Sequence, residues 1–180
     1  MGKRAVRVVD ERFLGLLEVR SLLRKSFPRE ERIPFSVLLV RAKLEDFEIL
    51  AYYDGGDLCA VSVTCSDKYV CSIQYLAVAE KKRGCGIGTS VLKYLSKRHK
   101  GKVMTADIEV PYADADNIAQ RMRRLRFYEK NGFENTHIGY TCHEVDYLVM
   151  TKNGEFNEPL FRSAYEKAFL GMFRPEFREM

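Results

Sequence analysis

This 180-residue chain has no apolar run approaching the roughly 20 residues that a membrane-spanning helix needs; its longest clusters, such as Val37 to Val40, are core-sized. No membrane partner is therefore expected. The amino-terminal MGKRAVRV is basic but has no apolar stretch of signal-peptide type, and position 6 is Val6 rather than Ser or Thr. Neither secretion nor N-myristoylation is expected. There is no C-x-x-C pair and no Cys/His group at zinc spacing, so no metal is expected. The adjacent Cys142 and His143 would point to opposite faces of a strand. Five cysteines, Cys59, Cys65, Cys71, Cys85 and Cys142, are an odd number lying mostly in strand-like segments. They read as reduced thiols in a cytoplasmic protein, not as a disulfide framework. Internal repeats, linkers and low-complexity tracts are also missing.

What remains is the composition of an ordinary soluble globular chain, 46% hydrophobic and 31% charged, long enough for one domain with a proper core. The net charge of +5 is mild, with basic residues concentrated at Lys81 to Arg83, Lys97 to Lys102 and Arg121 to Arg126. A nucleic-acid partner would need basic and aromatic residues interleaved on a sheet, and that pattern is absent. An anionic cofactor or solvated faces account for the same charges.

Residues 4 to 9 alternate as a short strand. The next segment predicts a helix, with Asp10 as N-cap and Phe13, Leu16, Leu17 and Leu23 as its apolar stripe. Pro28 and Pro34 bracket a break before a short helix over about Phe35 to Lys43. Strands are predicted for Phe47 to Tyr53, Leu58 to Cys65 and Tyr69 to Val78, with DGGD as a hairpin turn. Ile87, Val91, Tyr94 and Leu95 mark a helix that Gly101 would cap. Lys102 to Val110 reads as a strand, and Ile118 to Lys130 as a helix stopped by Asn131-Gly132. Phe133 to Tyr140 and Asp146 to Lys152 form a closing antiparallel pair. A last amphipathic helix starts near Pro159, with Leu160, Phe161, Ala164, Ala168 and Met172 inward. A meander of strands followed by alternating helix and strand predicts one mixed α+β domain.

KKRGCGIGTSVLKYL, residues 81 to 95, sits between a strand and a helix with three glycines at alternate positions. Glycines that close together cost backbone entropy, and the gain is bare main chain. At the start of a helix, unpaired N–H groups and the helix dipole favour an anion. A Walker A loop is excluded because no Lys follows Gly88, and the dinucleotide fingerprint lacks its third glycine. ATP and NAD are poor ligands for it; a tight loop that binds nothing is the bland alternative.

Arg83-Gly84-Cys85-Gly86-Ile87-Gly88 resembles the R-x-x-G-x-G pyrophosphate signature of the GNAT superfamily of acetyl-CoA-dependent N-acetyltransferases. RRLRFYEKNGFE, residues 123 to 134, resembles a second segment of that family at the expected separation. The likeness is strong over residues 69 to 134 and extends in outline over about 5 to 152. Residues 157 to 180 would be a helical extension. Many members carry N-x-x-A-x-x-x-Y, where this chain has Arg121 and Arg124 in place of the Asn and Ala.

The resemblance implies a mostly antiparallel central sheet of about six or seven strands with flanking helices, splayed between strands 4 and 5. It implies acetyl-CoA as co-substrate, with the pyrophosphate on Gly84, Cys85, Gly86, Ile87, Gly88 and Thr89. Arg83 would supply charge, and Arg121 would replace the missing Asn. Main chain near Leu76, Ala77 and Val78 would polarise the thioester carbonyl. Tyr128 is the implied general acid, since a phenol is protonated at pH 7. Glu109 is the candidate base for the amine; Asp107, two residues earlier on the same strand face, leaves that choice open. Glu30, Glu31 and Arg32 are implied to line the acceptor pocket, and the acidic YADAD loop leans toward a cationic amine. A homodimer is compatible with the pattern. The alternative on the same scaffold is a non-catalytic acyl-CoA sensor.

Overall fold

Asp54-Gly55-Gly56-Asp57 turns the chain with both glycines at positive φ, 63° and 96°, as a two-residue hairpin loop of the type I′ kind demands. The computed structural model describes residues 4–29, 31–168, 171 and 174–180. They form a mixed α+β fold of eight strands and five α-helices, the strands mostly antiparallel. None of these helices is long and apolar enough to cross a membrane. The chain divides into two compact units, Met1–Cys65 with Ile73–Arg98, and Ser66–Ser72 with His99–Met180.

In the first unit, strands β1 (Arg4–Val8), β2 (Phe47–Asp54), β3 (Asp57–Ser66) and β4 (Val70–Val78) are laid side by side in chain order. Helices α1 (Leu16–Ser26), α2 (Phe35–Arg41) and α3 (Ile87–Arg98) complete it. Ile49, Leu50, Ala51, Ala60, Val61 and Val63 are all buried. Neighbouring residues on a strand face opposite sides, so burial of consecutive positions means cover on both faces, and it explains the unbroken apolar runs.

Helix α1 departs from its expected form. It starts at Leu16, and Gly15, the residue before it, makes no side-chain cap. The Asp10 carboxylate instead accepts the main-chain N–H of Arg12 at 2.8 Å, closing a local turn. With the start moved, Val19 and Leu23 are the buried positions, while Leu17 is 80% exposed.

In the second unit the first residues of β4 lie beside β5 (Val103–Glu109) as the one parallel pair, and the Val103 N–H donates to the Tyr69 carbonyl at 2.9 Å. Next in order come β7 (Val145–Lys152), β6 (Glu134–Cys142) and β8 (Arg178–Glu179). Helix α4 spans Ile118–Lys130, the predicted limits, and stops at Asn131 with Gly132 at φ 78°. Helix α5 (Glu158–Ala168) buries Phe161, Ala164, Tyr165 and Ala168. Phe161, Ala164 and Tyr165 share one cluster with Val70, Tyr140 and Val149. Met172, expected inward on the same helix, lies outside the described residues. Two-residue β8 was not expected: so short a strand has no alternation, and only its pairing with Ile138 and Gly139 of β6 defines it.

Candidate active site

The loop leading into α3 presents bare main chain. Gly84 and Gly86 have φ of 74° and 75°, a conformation costly to residues with a Cβ. A Cβ built on either would meet nothing within 4 Å, so the glycines answer to backbone conformation, and the space beside them is open. The first donor of α3 is the Ser90 N–H, which reaches the Gly86 carbonyl at 3.0 Å, and the Ser90 hydroxyl reaches the same oxygen. Among the described residues, the N–H groups of 84 to 89 have no protein acceptor. Arg83 is anchored by its Nε to the Val78 carbonyl at 3.3 Å, and Lys82 pairs with Asp57 at 3.4 Å. Cys85 is exposed on the loop; Cys59, Cys65 and Cys71 are the buried thiols. Along β4, Ala77 is buried while Leu76 and Val78 share the half-buried face.

In the second unit the candidate acid and base sit on α4 and β5. Tyr128 is 7% exposed, its ring edge-on to Phe127 and Phe133 at centroid distances of 5.2 and 5.1 Å. Its hydroxyl has no hydrogen-bond partner among the described residues. Burial raises the phenol pKa, against the pull of nearby Arg124, so the proton stays on oxygen at neutral pH.

Glu109 is buried at the end of β5, and α4 closes over it with two cations. Arg124 donates to Oε2 at 2.7 Å, and Arg121 approaches Oε1 at 3.4 Å. Asn117, just ahead of α4, reaches Oε1 at 3.4 Å and accepts the Arg121 Nε at 2.6 Å. Arg121 also donates to the Val110 carbonyl at 2.7 Å. The substitutions at the family's Asn and Ala positions therefore act together, as one ion-pair network around Glu109. That network was legible only as two arginines three residues apart, at positions where the family carries Asn and Ala.

Asp107 shares its strand face with Glu109 but has separate partners. Its carboxylate accepts the Tyr140 hydroxyl at 2.8 Å and that of Tyr165 on α5. Burial outweighs the two donors and pushes the carboxyl up to about 6, from an ordinary value of 3.8. An unfolded chain thus ionises this group first, and stability falls as pH rises from about 4 to about 6. The loss is at most about 3 kcal/mol once both states are ionised. Asp107→Asn should match wild type near pH 4 and exceed its stability above pH 6 by about 1–2 kcal/mol. Urea denaturation at pH 4.5 and 7.5 tests this; parallel curves for the two proteins would contradict it.

A cleft of about 690 Å³ lies within the first unit, between α1, α2 and the segment joining them. Tyr75 of β4 fixes that segment by donating to the Glu31 carbonyl at 2.7 Å and accepting the Ile33 N–H at 3.0 Å. Arg32 lines the cleft, Glu31 contributes its carbonyl to the Tyr75 contact, and Glu30 lies outside the described residues. The acids of the YADAD loop, Asp114 and Asp116, are exposed in the second unit.

A strand, a loop with two left-handed glycines and a helix follow one another within a mixed α+β fold. The family model for the acetyltransferase (GNAT) domain matches residues 45–135. The chain belongs to the GNAT acetyltransferase family. A search of the curated proteins returned no match. Solved structures agree in fold. A GNAT-family protein from Bacteroides thetaiotaomicron superposes with TM-score 0.68 at 17% identity, over 93% of each chain. The ribosomal-protein-S18-alanine N-acetyltransferase of Escherichia coli gives 0.63 at 13% identity, over 86% of this chain and 96% of its own. A GNAT acetyltransferase from Elizabethkingia anophelis, with acetyl-CoA bound, gives 0.59 at 18% identity, over 83% of this chain and 97% of its own.

Proposed function

We propose that the chain is an acetyl-CoA-dependent N-acetyltransferase that passes the acetyl group directly to a primary amine. The observation that carries this reading is the open loop of 84 to 89, six N–H groups without protein acceptors at the head of α3. A diphosphate needs donors and close approach, and left-handed glycines supply both. Arg83, tethered beside the loop, adds charge.

The amine must be neutral to attack the thioester carbonyl. As the C–S bond breaks, the departing thiolate takes a proton from the Tyr128 hydroxyl. A phenol held protonated by burial, with its donor unclaimed, suits that step. Glu109 was the expected base, but both of its oxygens are already engaged by cations. We give it, with Arg121 and Arg124, the task of fixing α4 on β5 and so placing Tyr128; water receives the amine's proton. Arg121, spent on Glu109, Asn117 and Val110, is not assigned to the cofactor.

Acetyl-CoA at a hundred times its Kd should stabilise the protein by about 2.7 kcal/mol, and CoA thiol should appear only when an amine is added. Gly86→Val forces a β-branched residue into φ 75° and places methyl groups in the open space beside the loop. It should weaken acetyl-CoA binding by at least about a hundredfold. Binding without thiol release across an amine panel would favour the acyl-CoA sensor. No binding would remove both readings.

A further inference from the structure

The cleft of the first unit carries a chemical signature that the donor site does not explain. Four arginines, Arg20, Arg24, Arg29 and Arg32, line it, and no carboxylate stands among the described residues that do. Arg20 and Arg24 are one turn apart on α1 and so present their charges on one side of the helix. Among the described residues, Arg20, Arg24 and Arg29 have no ion-pair partner. Arg32 is held by the Pro28 carbonyl at 3.1 Å and the Arg24 carbonyl at 3.5 Å, which fixes its guanidinium without neutralising it. Of the nearby described acids, the Glu18 charge acts on Tyr53 and the Glu31 charge on Tyr75, so one carboxylate borders a site lined by four guanidiniums.

Beneath this charge the lining is apolar. Leu23 and Leu38 are buried in it, and Phe27 stacks edge-on against Tyr75 at 4.8 Å. Leu17, 80% exposed, leaves more apolar surface at the mouth. Four like charges around one low-dielectric concavity repel one another and focus a positive potential into it. One anion relieves that repulsion, and an apolar body fills the floor. The volume is that of a small-molecule site.

We infer that this cleft takes an anionic acceptor: a small primary amine that also carries an apolar body and a carboxylate or phosphate-type group. This rests on the transferase reading for its amine, but not for its anion. It also reverses the cationic acceptor expected from the YADAD loop. Guanidinium forks match either oxyanion bidentately, so the shared chemistry is an apolar oxyanion.

L-Phenylalanine, its phosphonate analogue, phenethylamine and spermidine separate the alternatives in two assays. One is calorimetric binding without acetyl-CoA; the other is thiol release with it. Phenylalanine or its phosphonate should bind at least about tenfold more tightly than phenethylamine, and spermidine should not bind. Whichever acid binds more tightly identifies the oxyanion. Arg20→Leu/Arg24→Leu, at exposed positions that leave the core intact, should erase the preference; Arg20→Lys/Arg24→Lys should keep most of it. Equal binding of phenethylamine, binding of neither acid, or a preference that survives in the leucine variant would each overturn the inference. Thiol release with phenethylamine or spermidine, but with neither acid, sinks the anionic acceptor and leaves the transferase standing. Binding of an acid without thiol release from any amine does the reverse.

Discussion

Tyr128→Phe is expected to lower turnover by about 10²- to 10⁴-fold while leaving acetyl-CoA affinity unchanged. The substitution removes one oxygen from a ring otherwise defined by its contacts with Phe127 and Phe133. Since the hydroxyl has no hydrogen-bond partner among the described residues, its loss leaves no buried group unsatisfied. Stability should change by less than about 1 kcal/mol. A purely structural tyrosine gives the opposite split: activity retained, with whatever stability change follows from packing. The measurements are single-turnover thiol release, acetyl-CoA titration and urea denaturation on one preparation. Wild-type turnover in the variant removes Tyr128 from the mechanism.

The second large effect concerns Glu109, where position and chemistry make different forecasts. Glu109→Leu leaves Arg121 and Arg124 half-buried against each other with no counter-charge. Removing one partner from such a network costs about 3 kcal/mol, and Glu109→Leu with Arg124→Leu should recover a good part of it. Glu109→Gln keeps the shape and one acceptor. If Glu109 positions α4, the glutamine variant should lose less than about tenfold in turnover and keep the wild-type pH profile. If Glu109 is the base, turnover falls by about 10²-fold or more and the acidic limb of the profile disappears. The pH profile decides between the two, because lost stability alone does not move it.

The glycine loop was legible because it is local. Phosphate-cradling main chain needs left-handed residues followed by a helix start, and both are written into consecutive positions. The limits of α4 were legible for a similar reason, with Asn131-Gly132 supplying the stop. Helix α1 was misplaced because Asp10 has two local uses, cap or turn, and its own sequence does not choose between them. The three residues that the resemblance grouped as one acceptor wall divide in the structure: Arg32 lines the cleft, Glu31 accepts the Tyr75 hydroxyl with its carbonyl and acts on the same phenol through its charge, and Glu30 is outside the described residues.

By itself, then, the sequence determined the mixed α+β element order, the hairpin at Gly55-Gly56, the loop at 83 to 89 and the family. The first three follow from backbone conformations or side-chain periodicities set within a few residues, and the family from the resemblance of two short motifs at residues 83 to 88 and 123 to 134. Tertiary structure alone decided the partners of the charges. Asp107 and Glu109, indistinguishable on one strand face, went to two tyrosines and to two arginines respectively. Four arginines spread along residues 20 to 32 became the lining of one cleft. Charge acts through space, and the distances that set its strength exist only once the helices have packed.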